Sequence, residues 1–273
     1  MSDHAPTASP ADSQSFFAKH HFLLRRLHSL TGILPIGLFM IVHLFTNAQV
    51  IWGQSAGGEG AFQHEVDFIH SMPALFYVEL ALWLSIAFHA ILGVGYMTGI
   101  VPNVRHYNYA DNWRYTMQRL TAWVALVFIF LHIATLRWRL NVLGIWDTPF
   151  WHRMTPTGEP GHSMDDVPMS LPLTAYALQY SWLVVFLYVV GVFSAIFHWC
   201  NGLWTAAITW GATITKTAQK RWGQACIGLG VALTIFMGAA IIGALKFDLK
   251  KDTTEAQREV LSKIVPDWKE GSE

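Results

Sequence analysis

Charged side chains are scarce in this chain, at 13% of residues against 53% hydrophobic ones, and the 18 basic and 18 acidic groups cancel. That balance leaves no basic surface for nucleic acid or a polyanionic substrate. Cysteine is almost absent. Cys200 and Cys226 form neither a CxxC pair nor a CxxCH attachment site, so neither a disulfide framework nor a covalently held c-type haem is indicated. There is also no glycine-rich nucleotide fingerprint and no soluble domain to house a flavin or a dicarboxylate site.

The apolar residues fall in long blocks, roughly 30–51, 74–101, 121–136, 173–209 and 225–245. A helix needs about 20 residues to cross the hydrocarbon layer, so the composition and the block lengths predict five transmembrane helices. The third block reaches span length when extended back to Tyr115. The fourth is longer than a crossing needs and is expected to continue as helix beyond the membrane. Residues 1–18, rich in Ala, Ser, Pro and Asp, lack the apolar core of a secretory signal and are expected to be a disordered cytoplasmic tail. The first apolar block is then an uncleaved anchor, and most of the 13 Trp residues read as interfacial anchors at the ends of spans.

Lys19, Arg25 and Arg26 precede the first block. Arg105, Arg114 and Arg119 lie between the second and third, and Lys216, Lys220 and Arg221 between the fourth and fifth. The positive-inside rule makes these segments cytoplasmic, with the N-terminus inside and the C-terminus outside. The loop at 52–73 fits the outer side, having Glu59, Glu65 and Asp67 but no Lys or Arg. The loop at 137–172 votes weakly, because Arg137, Arg139 and Arg153 are mixed with Asp147, Glu159, Asp165 and Asp166. Residues 246–273 alternate acidic and basic side chains and read as a solvated helix or tail.

Of 13 histidines, four sit deep in apolar blocks: His43 in MIVHLF, His89 in IAFHAILG, His132 in FIFLHIAT and His198 in AIFHWCNG. An imidazole in hydrocarbon needs a partner, since an unsatisfied polar group there costs several kcal/mol. A neighbouring helix supplies one for many lone histidines. Four together, one on each of the first four spans, point instead to a metal cofactor. Depth gives an independent check. His43 lies 13 residues past Leu30 and His132 lies 17 past Tyr115, about 20–25 Å from the inner side at 1.5 Å per residue. His89 and His198, on spans that run inward, fall toward the inner half when counted from Pro73 and Pro172. The expected pairs are His43 with His132 and His89 with His198, each holding one haem iron by two imidazoles. Filled axial positions suit electron transfer rather than oxygen chemistry.

The residues around these histidines resemble the cytochrome b subunits of the five-helix, two-haem succinate:menaquinone and fumarate reductase family. The matching segments are RRLHSLTG at 25–32, HL at 43–44, FHAILGV at 88–94, NW at 112–113, QRLT at 118–121, FHWCNGLW at 197–204 and TWG at 209–211. The resemblance covers about residues 16–245 and implies an all-α membrane protein, a bundle of five transmembrane helices in a bacterial inner membrane. The implied division is a 1–18 tail, a 19–246 haem-binding domain with an outer loop at 138–172, and a 247–273 polar tail. It implies two haems b, with His89 and His198 on the proximal one and His43 and His132 on the distal one. A menaquinone-type quinone is the implied substrate. Flavoprotein and iron–sulfur subunits, which carry FAD and iron–sulfur clusters, are the implied partners.

By the same resemblance His28 and Ser29 lie near a proximal haem propionate, although His28 also reads as a histidine in the headgroup region. Glu65 resembles a quinol-site carboxylate that exchanges protons, with His64 and Asp67 as substitutes. One departure stands out: some fumarate reductases of the family have a proton-relaying glutamate where this chain has Ile196. The competing readings are a two-haem anchor of a hydrogenase or formate dehydrogenase, and a transporter using histidines as proton relays.

Overall fold

The computed structural model describes residues 19–54, 59–98, 104, 106–138, 140, 150–179 and 181–265. The expected 1–18 tail, Arg105, Arg139, Asp147 and residues 266–273 lie outside these. In chain order the helices are α1 (His21–Trp52), α2 (Ala61–Ser71), α3 (Leu75–Met97) and α4 (Ala110–Leu136). After a two-stranded hairpin, β1 (Arg153–Met154) and β2 (Val167–Pro168), come α5 (Ser170–Gln179), α6 (Trp182–Thr209), α7 (Lys216–Lys246) and α8 (Glu255–Ile264). Five of them, α1, α3, α4, α6 and α7, are long and apolar enough to cross a membrane.

The crossing helices extend past the apolar blocks. Arg25 and Arg26 are helical in α1, Arg114 and Arg119 in α4, and Lys216, Lys220 and Arg221 in α7. Arg and Lys are good helix formers whose long stems carry the charge out to water, so the helix need not stop where hydrophobicity does. Within α1 the ladder widens to a π turn at Gly32–Ile36, around Pro35. Proline has no N–H to donate and its ring crowds the preceding turn, which a wider turn relieves.

The block at 173–209 is not one long helix, as the sequence suggested, but two. α5 ends at Gln179, and Ser181 is extended at φ −159° and ψ 154°, its hydroxyl accepting from the Val184 N–H to cap α6. A serine side chain that satisfies a free helix N–H starts a new helix at little cost even inside an apolar run. His198 therefore stands 16 residues into its helix, comparable with His89 at 14 residues past Leu75.

α4, α6 and α7 pack closely in sequence, the second half of α1 lies on α7, and α3 packs on the first half of α1. Across the remaining face α3 reaches α4 and α6 through long side chains, with Arg137 donating to Glu79 at 3.0 Å and Trp83 stacked on Trp138. Among the described residues one end of the bundle is uncapped, and the other carries a cap of α2, the hairpin, α5 and α8.

The cap is a packed unit. Met154, Val167, Met169, Leu173, Val260, Leu261 and Val265 form one cluster, and Val50, Phe62, Leu171, Ala175, Leu178, Val184, Ala244 and Phe247 join it to the bundle. Residues 254–265, read from sequence as solvated, thus bury one face of α8. Thr254 and Gln257 close its N-terminus as a capping box, and Gln257 Nε2 donates to the Pro168 carbonyl at 2.6 Å. Gln179 Nε2 serves two carbonyls at the end of α7, those of Ala244 and Phe247.

At the centre of the cap Arg153 is buried at 2% exposure. Its guanidinium donates to both carboxylate oxygens of Asp67 at 3.1 and 2.8 Å, to Glu59 at 2.8 Å, and to the carbonyls of Met164 and Asp166. The hydrogen bonds to Asp67, then those to Glu59, raise its pKa and hold the charge firmly. Replacing Arg153 with Met strands Asp67 without its cation and is expected to destabilise the cap by about 3 kcal/mol, because an unpaired buried charge remains. Faster proteolysis of residues 150–172 in detergent, with the bundle helices still protected, is the check.

Beside this cluster His152 stacks on His70 at 3.9 Å. Burial and then the neighbouring His70 push His152 from 6.5 down to about 4. The folded cap holds it neutral while the unfolded chain takes up a proton below 6.5, so this contribution to stability is whole above pH 6.5 and declines as pH falls toward 4. Cap unfolding followed against pH should lose that slope in His152→Phe.

Candidate functional site

The π turn, the cap on α6 and the helix packing bring the four intramembrane histidines into two pairs. The rings of His89 and His198 lie with centroids 6.2 Å apart and planes at 85°, and those of His43 and His132 at 5.9 Å and 75°. A direct N–H···N hydrogen bond of about 2.9 Å between imidazoles would set their centroids about 5 Å apart. Two metal–nitrogen bonds of about 2 Å set them about 6 Å apart, as seen in both pairs. The spacing therefore fits an ion between two ligands better than it fits mutual hydrogen bonding.

Among the described residues no three His, Cys, Asp or Glu gather to hold a metal by protein groups alone. A haem needs only two, since its macrocycle supplies the other four donors. The donor set thus fits an iron porphyrin.

In three of the four histidines Nδ1 meets an oxygen at hydrogen-bond distance. His89 Nδ1 lies 2.8 Å from the His28 carbonyl, and His198 Nδ1 lies 3.1 Å from the Gln118 carbonyl. His132 Nδ1 lies 3.1 Å from the Tyr188 hydroxyl, and Asn47 Nδ2 is 3.5 Å from His43 Nδ1. With Nδ1 meeting an oxygen in His89, His198 and His132, Nε2 is the atom left for a ligand in those three.

Several residues that sequence reading did not single out build these surroundings. Gln118 clasps the His198 segment: its Nε2 donates to the His198 carbonyl at 3.0 Å and its Oε1 accepts from Asn201 at 2.8 Å. Gly32 makes room for the His89 ring, because a Cβ there would stand 2.5 Å from an imidazole carbon. Gly191 does the same for Phe128, which stacks on His132 with ring centroids 5.7 Å apart. Gln118 and Gly32 lie within the segments QRLT and RRLHSLTG, so a signal for them was present. Tyr188 and Gly191 carried none, as each is an ordinary residue in an apolar helix.

His28 joins the open-end pair, its ring stacked on His89 at 4.0 Å and edge-on to Tyr96. Ser29 is near, but its hydroxyl donates to the Arg26 carbonyl and accepts from Trp210 Nε1. Buried polar atoms without hydrogen-bond partners collect at this end: Arg26 Nε, His28 Nδ1, Tyr96 Oη, and Arg119 Nε and Nη1. Such atoms fit an acidic group lying among them.

Glu65 is not brought to the paired histidines in any described contact. It lies half-buried on α2, and its carboxylate makes no ion pair or hydrogen bond among the described residues. Its expected substitutes are otherwise engaged, Asp67 with Arg153 and Gln63, and exposed His64 at 4.0 Å from Glu59.

Five helices long and apolar enough to cross a membrane, with four of their imidazoles brought into two pairs, define a multi-pass helical membrane protein. No protein-family model matches the chain. It is 32% identical over 223 residues to the succinate dehydrogenase cytochrome b558 subunit of Bacillus subtilis strain 168, an alignment spanning 81% of this chain and 93% of that protein. The chain belongs to the family of succinate dehydrogenase cytochrome b subunits.

Gly32→Val is expected to force the His89 ring out of place and to lower stability by about 1–3 kcal/mol, the usual cost of overpacking. Thermal unfolding of the detergent-solubilised protein measures the loss.

Proposed function

We propose that the chain is the membrane anchor of a succinate:quinone oxidoreductase. In this reading it binds the flavoprotein and iron–sulfur subunits and carries electrons between the iron–sulfur subunit and quinone, menaquinone in particular, through two haems b. The observation that supports this best is the pair of His–His spacings near 6 Å. His43 and His132 would hold one haem and His89 and His198 the other, and each group, when bound, would supply one-electron redox chemistry.

The chain's own residues orient, insulate and connect. The His28 and Gln118 carbonyls and the Tyr188 hydroxyl fix the imidazole tautomers. His28, Arg26 and Arg119 would receive a propionate at the open end, beside Ser29, where charge-assisted hydrogen bonds would satisfy their atoms now without partners. Glu65 exchanges protons with quinone from the capped end, being the acidic group of α2 that no cation engages.

The open end faces the cytoplasm of a bacterial cell, so the N-terminus is inside and the C-terminus outside. Support comes from charge placement: Arg25, Arg26, Arg114, Arg119, Lys216, Lys220 and Arg221 start helices there. Of the three described arginines at the other end, Arg137 and Arg153 are paired with carboxylates, and Arg258 donates to the Thr253 carbonyl.

A reduced-minus-oxidised spectrum of the purified protein tests the reading. Two b-type haems are expected. His43→Ala and His132→Ala should deplete one of them, and His89→Ala and His198→Ala the other. No haem, or haems indifferent to all four changes, overturns the proposal.

Ile196, buried at 2% exposure among Leu44, Cys200 and Leu233, offers no group to relay a proton beside His198. Succinate oxidation by menaquinone in sealed vesicles should therefore depend on the membrane potential. An uncoupler is expected to slow it, and an unchanged rate would count against this.

A further inference from the structure

The four histidines are not held alike. The two at the open end donate from Nδ1 to main-chain carbonyls, at 2.8 Å for His89 and 3.1 Å for His198. At the capped end His43 Nδ1 has only the Asn47 amide at 3.5 Å, beyond the usual range, whereas His132 Nδ1 meets the Tyr188 hydroxyl at 3.1 Å. Among the described residues, this pair's only ordinary-length contact at Nδ1 is thus made by a side chain, one that substitution can remove.

Resting on the two-haem reading, we propose that Tyr188 is a positioning residue for the haem at the capped end, its hydroxyl accepting from Nδ1–H of His132. A neutral imidazole that gives Nε2 to iron must carry its proton on Nδ1, which fixes the direction of this hydrogen bond. Geometry supports a placing role. Phe128 stacks on His132 at 5.7 Å and meets Tyr188 edge-on at 5.3 Å, so the imidazole is held by one ring and one hydroxyl. Phe128 reaches that place only because residue 191 is glycine, and Tyr188 lies one helical turn before it on α6.

The consequence is electronic as well as geometric. An acceptor at Nδ1–H makes the imidazole a stronger donor to iron and favours the ferric state. Without the hydroxyl His132 becomes a weaker donor and the ferrous state gains.

The test is a potentiometric titration with ferric low-spin electron paramagnetic resonance, on the purified complex and on Tyr188→Phe. The capped-end haem is identified as the one depleted by His132→Ala. Its midpoint potential is expected to rise and its resonance to move in Tyr188→Phe, while the other haem keeps both. Unchanged values for both haems, or equal shifts in both, overturn the inference and leave the two-haem reading intact. Absence of haem from the unmodified protein would instead defeat that reading. If Tyr188→Phe does not accumulate, Tyr188→Gln decides, since its side-chain carbonyl can accept the same bond. Recovery of the capped-end haem supports the inference, and failure of Gln to restore it overturns the inference.

Discussion

An imidazole inside hydrocarbon has two polar nitrogens and no water, and the arrangement of this bundle follows from satisfying both. Leaving either bare costs several kcal/mol, more than most packing contacts return. In three of the four buried histidines one nitrogen meets an oxygen at 2.8–3.1 Å, and in each pair the rings face one another at about the distance a shared metal ion requires. The neighbouring sequence is shaped around those rings. Glycine stands at 32 because the His89 ring occupies the space of its side chain, and at 191 because Phe128 does. Gln118 serves two residues of α6 at once, which fixes the rotation of α4 against it.

Charge is managed by a different rule at each end. At the open end the cations start helices and lie over aromatic rings, Arg119 on Tyr115 at 3.8 Å and Arg114 on Trp204 at 3.7 Å. Arg119 keeps hydrogen-bonding capacity for an acidic group. At the capped end the carboxylates of one loop neutralise the arginine of another, Asp67 and Glu59 with Arg153. That pairing ties α2 to the hairpin.

The helices, their number and the four ligand candidates were legible because hydrocarbon imposes a long unbroken signal and makes each buried histidine conspicuous. Pairing by depth was legible as well, since helical rise converts position in sequence into height. The break before Trp182 was not: Ser181 caps a helix inside an apolar run, and hydropathy averages over a single serine. Nor was the burial of α8, whose charged face dominates its composition while Val260 and Leu261 turn inward.

By itself the sequence determined the membrane class, the five crossings and how far along its helix each histidine stands, because these depend on composition and on rise along one helix. Only the tertiary structure decided how each imidazole is held, that Asp67 is tied to Arg153 while Glu65 is not, and that Gln118 and Tyr188 lie against His198 and His132. Those facts depend on rotation and approach between helices, which side-chain packing sets and which leaves little trace in any single segment.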